Sequence, residues 1–237
     1  MIRSTTCRGS RSRNTSRVDP HGAYTADRAA ALAGVPLSTL HYWTRREYIV
    51  PSVSPVRVKL WSYADLLGLR TIAWLRATKT DDDGATIPRT TMPVVRHALR
   101  ELDALDLDLW TDETIPNVAI DRSGHIVLEP ERAPRTLDGQ HLIDADEFDV
   151  LRPFDLGANA GPDLVKPRPR LRILPGKLAG APHVHDTRVE TQALAALRVR
   201  GLDTPKIGRL YPILEHEDIE DALDLERQLQ PTLALAA

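Results

Sequence analysis

Residues 29–51 read AAALAGVPLSTLHYWTRREYIVP, and the centre of that stretch decides the fold. Ala29, Ala30 and Leu32 supply a small-residue buried face to a short helix expected over residues 25–33, with Thr25 placed to cap it. Gly34-Val35-Pro36 then breaks the helix, because glycine takes the left-handed turn conformation and proline forbids continuation. A second helix is expected over residues 37–47, capped by Ser38, with Leu40 and Trp43 three apart and facing inward. Thr39, His41, Tyr42, Arg45 and Arg46 are left facing outward. Two short helices joined by a tight glycine turn, the second rich in exposed donors, make a helix-turn-helix.

Downstream, Tyr48-Ile49-Val50-Pro51 leads through a polar stretch to Val56-Arg57-Val58-Lys59-Leu60-Trp61. The alternation predicts one strand of a small β wing, with Arg57 and Lys59 on one face. Ser62 is then the cap of a third helix, with Asp65 at N3, where the positive helix end favours a carboxylate. That helix is expected to run to about residue 79 with Leu66, Leu69, Ile72, Ala73 and Leu75 inward.

The run from Ala29 to Pro51, followed by KLWSYADLLGLRTIAWLR at 59–76, resembles the winged helix-turn-helix of the MerR family over about residues 23–78. Shared features are the alanine-rich first helix, the GV turn, a T-L-x-x-W recognition helix and the S-x-x-D-L start of the third helix, here Ser62, Asp65 and Leu66. Lys59 stands where the family has arginine, and Trp61 where it has tyrosine. The resemblance implies major-groove contacts from Ser38, Thr39, His41, Tyr42, Arg45 and Arg46, and phosphate contacts from Arg57 and Lys59. Thr25, at the start of the first helix, completes the expected DNA-contacting set. The chemistry is apt: arginines make charge-assisted bonds to phosphates or bidentate bonds to guanine edges, and hydroxyls clamp the backbone.

Charge is distributed accordingly. Residues 1–80 carry 13 basic and 4 acidic side chains, residues 81–164 carry 7 and 19, and residues 165–237 carry 11 and 10. A basic block beside an acidic one marks a nucleic-acid-binding end joined to something else. Arginine outnumbers lysine 26 to 5, which suits phosphate and carboxylate recognition. Residues 1–22, with Arg3, Arg8, Arg11, Arg13 and Arg17 among small polar residues, read as a disordered basic arm, either tracking phosphates or merely solubilising. The single cysteine, Cys7, excludes an intrachain disulfide, a cysteine-rich zinc finger and an iron–sulfur cluster. With 42% hydrophobic residues, no secretory h-region and no membrane-length apolar run, the expectation is a soluble cytoplasmic protein of one large or two to three small domains.

Residues 81–157 read as an acidic middle module. Asp81-Asp82-Asp83-Gly84 is expected as a solvated turn rather than a magnesium site. A helix follows over residues 90–105, with Pro93 in its first turn and Val94, Val95, Ala98, Leu99 and Leu102 buried. Val118-Ala119-Ile120, the turn Asp121-Arg122-Ser123-Gly124 and Ile126-Val127-Leu128 then give a hairpin signal, joined by residues 141–149. This departs from the MerR pattern, which has a long dimerisation helix there. Residues 158–170, rich in glycine and proline, are expected to be a linker.

From Leu171 a third module begins. A short strand is expected over 171–175, a turn-rich loop over 176–182, and a second strand from Asp186 to Val189. Three helices follow over 191–200, 204–210 and 215–229, the middle one with Thr204 as cap and Pro205 at its first position. Gly180, Pro182, Thr187, Arg188, Gly201, Tyr211, Pro212, Asp218, Ile219 and Ala222 fall in register with a small domain of prokaryotic antitoxins, which this segment resembles over about 171–229. In operons that domain accompanies toxins with a PIN-type ribonuclease fold, as in VapBC systems. The resemblance implies a three-helix, homeodomain-like module that mediates dimerisation or further DNA contact, and a chain like a long VapB-type antitoxin.

The fold class expected is therefore mainly α with small β elements: an N-terminal winged helix-turn-helix (23–80), a small β-containing middle module and a C-terminal three-helix module (171–230). The function expected is an antitoxin, binding operator DNA as a homodimer and neutralising a cognate PIN-type ribonuclease toxin, with no cofactor. Arg188, Tyr211, Ile219 and Leu223 are the candidates for a toxin or dimer interface. The alternative is a stand-alone MerR-like regulator answering to a ligand or another protein; absent metal cysteines and only 5% aromatics weigh against a ligand sensor. A metal-dependent hydrolase using His183, His185 and Asp186 lacks a second ligand cluster, a nucleophile elbow or a phosphate loop, so neither a metal site nor an enzyme is expected.

Overall fold

The computed structural model describes residues 21–80, 86–107, 110–129, 147–155 and 160–230. The expected basic arm at 1–20 with Cys7, the Asp81–Asp83 turn and residues 141–146 lie outside the described residues. The fold is mainly α with small β elements, with seven α-helices and four short antiparallel sheets among the described residues.

Helices Ala26–Ala33 (α1) and Leu37–Arg45 (α2) flank the Gly34 turn. Gly34 sits at φ 70°, and the amides of Gly34 and Val35 return to the carbonyls of Ala31 and Ala30, closing α1. A Cβ on Gly34 would lie 2.6 Å from the Gly161 amide nitrogen, so the residue is required by close approach as well as by backbone conformation. Ser38 lies inside α2; Pro36 holds the cap position, and no side chain caps that end. The helix stops at Arg45, because Glu47 takes a left-handed φ of 54° and its amide and that of Tyr48 bond back to Thr44 and Trp43.

The third helix, Tyr63–Arg76 (α3), begins with the expected capping box: Ser62 Oγ accepts from the Asp65 amide and Asp65 accepts from the Ser62 amide. It ends three residues before the expected 79. It is also buried on every side from Tyr63 to Leu75 except at Ala64, where the sequence periodicity predicts a single inward face. The surrounding elements explain this. Helix α1 packs on one side, helix Met92–Asp103 (α4) on another, and Trp74 stacks on Phe148 with ring centroids 5.5 Å apart.

A two-stranded ribbon pairs Lys79–Thr80 (β1) with Thr86–Ile87 (β2). The expected hairpin forms as Asn117–Asp121 (β3) and Ile126–Glu129 (β4), with Glu147–Asp149 (β5) added to the other edge of β3. Val118, Ile120 and Phe148 of this sheet enter the common core.

The segment expected to be a linker is part of that core. Phe154–Asp155 (β6) pairs with Ala160–Gly161 (β7), and Gly161 through Val165 are buried. Gly161 abuts the Gly34 turn, the Leu164 carbonyl accepts from Tyr63 Oη at 2.8 Å, and the Asp163 carboxylate accepts from the amides of Val165 and Lys166. Glycine and proline here serve close packing rather than freedom.

In the C-terminal module, Leu171–Arg172 (β8) pairs with His183–Val184 (β9). The second strand thus precedes the expected 186–189, because Asp186 adopts a left-handed turn with φ 55°. Helices Thr191–Val199 (α5), Thr204–Leu210 (α6) and His216–Leu229 (α7) follow the expected three. Asp203, not Thr204, caps α6 through the Lys206 amide, and Thr204 instead bonds Glu220 of α7 at 2.5 Å.

Candidate nucleic-acid interface

The outer face of α2 is built by subtraction. Leu40 and Trp43 are buried toward α1 and the core, and the Thr44 hydroxyl is turned back onto the Leu40 carbonyl at 2.8 Å. The helical period then leaves Ser38, His41, Tyr42, Arg45 and Arg46 exposed, with Thr39 half-buried. Arg46 lies over the Tyr42 ring at 5.6 Å from its centroid, and Tyr42 meets Tyr48 edge-on at 6.3 Å. That aromatic contact orients a guanidinium while leaving its donors to solvent. Five of the six residues expected at DNA therefore fall on α2 and the sixth, Arg46, on its C-cap, and this face is predominantly donor-bearing and basic.

Residues 52–60 form an irregular loop rather than the expected strand: the Ser54 and Leu60 backbones exchange two hydrogen bonds of 3.1 and 3.0 Å, and Trp61 pairs with Tyr24. Alternation does not produce a buried face here. Val56 and Val58 are 71% and 61% exposed alongside Arg57 and Lys59, so both sides of the tip meet solvent. The base of the loop is rigid. Asp65 accepts from the Ser52 amide and hydroxyl, each at 2.9 Å, while Ser52 Oγ also donates to Ser62 Oγ at 2.8 Å. Burial raises the Asp65 carboxyl above its ordinary value, and the bonds from Ser52 and Ser62 oppose the rise. Asp65 is thus both helix cap and anchor of the basic loop.

Thr25 is exposed at the N-terminus of α1, where it lines a cleft with Arg28, Ala181, Pro182 and Gln192. The C-terminal module is accordingly docked on the helix-turn-helix. Tyr24 Oη donates to the Gly180 carbonyl at 2.6 Å, and burial pushes its phenol far above the ordinary range despite nearby Arg28. Arg28 pairs with Glu226 of α7, and Arg172 and His185 both reach Asp112 of the middle module, at 2.6 and 3.0 Å.

Of the residues expected at a protein interface, Arg188 is exposed and Tyr211 half-buried. Ile219 is 1% exposed and Leu223 8%; both belong to the internal core of the three-helix module and are unavailable to a partner. The three- and four-residue spacing of Ile219, Ala222, Leu223 and Glu226 in α7 marks a buried face, and that face is covered by α5 and α6. The exposed large apolar side chains among the described residues of this module are instead Val199, Leu210 and Ile213. His183 does not converge with His185 and Asp186: its ring is fully buried with Nδ1 donating to the Ala181 carbonyl at 2.9 Å, whereas His185 turns outward, with Nε2 at Asp112 and Nδ1 3.3 Å from Asp186.

The sequence reading missed Arg70, Arg28 and Glu226. Arg70 is wholly buried in α3 and donates to four carbonyls, those of Val150 (3.1 Å), Arg152 (2.5 Å), Leu32 (2.7 Å) and Pro162. An arginine inside an otherwise apolar helical run was the available signal. No spacing rule connects it to segments 38 to 92 positions away.

This surface is carried by two short helices joined at the Gly34 turn, against which a three-helix C-terminal module is packed. Residues 172–225, from β8 through most of α7, match a family model described as a protein of unknown function, DUF433. No curated protein and no solved structure matches the chain. Among the described residues, no helix is long and apolar enough to cross a membrane.

Proposed function

We propose that this chain is a cytoplasmic DNA-binding antitoxin. In this reading α2 enters the major groove of operator DNA, Arg57 and Lys59 contact phosphates, and the chain neutralises a cognate PIN-type ribonuclease encoded beside it. The observation that carries the DNA half is the α2 face, where Ser38, His41, Tyr42, Arg45 and Arg46 are exposed together while the opposite face is buried. The toxin half is supported by the antitoxin-like pattern over 171–229 and by the exposed Arg188, Leu210 and Ile213 of that module. A homodimer would read a palindromic or repeated operator with half-sites spaced by its own symmetry.

A stand-alone MerR-like regulator is the second reading. The docking of α7 on α1 through Arg28–Glu226 favours it, since a module packed onto the helix-turn-helix is placed to modulate it. Co-expression of the tagged chain with its genomic neighbours separates the two. A stoichiometric small partner that is a ribonuclease only once released supports the antitoxin. Elution alone or with DNA only removes the toxin half and leaves the regulator.

A further inference from the structure

We infer that His97, Glu101 and His125 form a binding site for one divalent transition-metal ion of the zinc class, joining α4 to the β3–β4 turn. Among the described residues this is the one group of three or more potential ligands whose donor atoms converge, all within 4.8 Å of one another. His97 and Glu101 are one helical turn apart on the same face of α4, with Nε2 and Oε1 3.6 Å apart. His125, at the end of the hairpin turn, brings its Nδ1 to 3.2 Å from His97 Nε2. Ligands on a tetrahedral ion with bonds of about 2.0–2.1 Å are roughly 3.3 Å from one another, so the two shorter separations already suit a shared ion.

Neighbouring groups fix the Glu101 carboxylate and the backbone at His125. Glu101 Oε2 accepts from the Ile126 amide at 3.2 Å, which leaves Oε1 directed at His97. Asp121 accepts from the His125 amide at 2.9 Å and from Ser123 Oγ at 2.6 Å. Gly124, at φ 84°, lets the turn lie directly on α4: a Cβ there would come within 2.8 Å of the Val94 carbonyl. Such outer partners orient ligands in metal sites. Two imidazoles and one carboxylate are a borderline nitrogen–oxygen set, and their partial exposure leaves the remaining position to water.

The test is a calorimetric titration of the metal-stripped full chain with zinc chloride, with circular dichroism confirming that each variant is folded. One zinc ion should bind, and His97→Gln and His125→Gln should each weaken it at least ~10-fold, while His185→Gln should not. In the unmutated protein, the imidazole NMR signals of His97 and His125 should shift on zinc addition. Absence of stoichiometric binding, binding indifferent to both substitutions, or unmoved His97 and His125 signals would overturn the site and leave a hydrogen-bonded histidine pair.

Discussion

Arg28 of α1 and Glu226 of α7, 198 positions apart, form a two-pronged ion pair in which Nη1 meets Oε2 and Nη2 meets Oε1, each at 2.7 Å. Their side chains are only 11% and 7% exposed, and Thr191 of α5 donates to the same carboxylate. The pair joins the first helix of the helix-turn-helix to the last helix of the C-terminal module. With Tyr24–Gly180 and Arg172–Asp112, it ties the C-terminal module to the N-terminal helices and to the middle module.

Removing one member of this pair leaves a buried charge without its partner. Glu226→Ala or Arg28→Ala should therefore cost about 3–5 kcal/mol in urea unfolding, whereas the double change Arg28→Met with Glu226→Leu should recover most of that loss. A double change that costs as much as the two single changes together would show that the pair does not couple the two modules.

Arg70 supports the centre. Burial lowers its guanidinium to about 10, with Asp163, Tyr63 and Asp149 opposing, so it remains charged near neutral pH. Arg70→Met should strand four carbonyls and destabilise the chain by several kcal/mol, at about 1–3 per unsatisfied group. Arg70→Lys should rescue little, since a compact ammonium cannot span the carbonyls that the planar fork reaches. Urea unfolding of both variants checks this, and a stable lysine variant would refute the bridging role.

On the proposed DNA face, Arg45→Ala with Arg46→Ala should weaken operator binding by roughly 1–3 kcal/mol for each arginine that reads a base. Binding of the protein partner should be unchanged. Gel-shift titration at fixed salt measures the first effect, and unaltered operator affinity would remove α2 from the interface.

His183 makes stability depend on pH. Burial holds its imidazole below the usual 6.5, with Lys177, Arg172 and His185 adding to the effect against the Ala181 bond. In the window below 6.5 the unfolded chain binds more protons than the folded one at this position. Its contribution is full above that window and is lost as pH falls through it, at no more than about 1.4 kcal/mol per pH unit. His183→Asn keeps a donor for the Ala181 carbonyl and abolishes titration, so its unfolding free energy should lose this slope in parallel urea series. An unchanged slope would assign the acid sensitivity elsewhere.

Local rules made much of the fold legible in the sequence. Small-residue periodicity, the Gly34 break, the Ser62–Asp65 capping box and the three C-terminal helices all follow from interactions spanning a few residues. The exposed face of α2 was readable for the same reason, because a helix that buries Leu40 and Trp43 must show Arg45 and Arg46. Burial of residues 161–165 was not, since glycine and proline mark a flexible connector and a close-packed one alike until the opposing surface exists. The same limit applies to Val56 and Val58, whose alternation implies a covered face only where another element covers it. Tertiary structure alone decided the partners of Arg28, Arg70 and His125. Those contacts depend on chain segments brought together by core packing, and no local propensity encodes a distance across 198 residues.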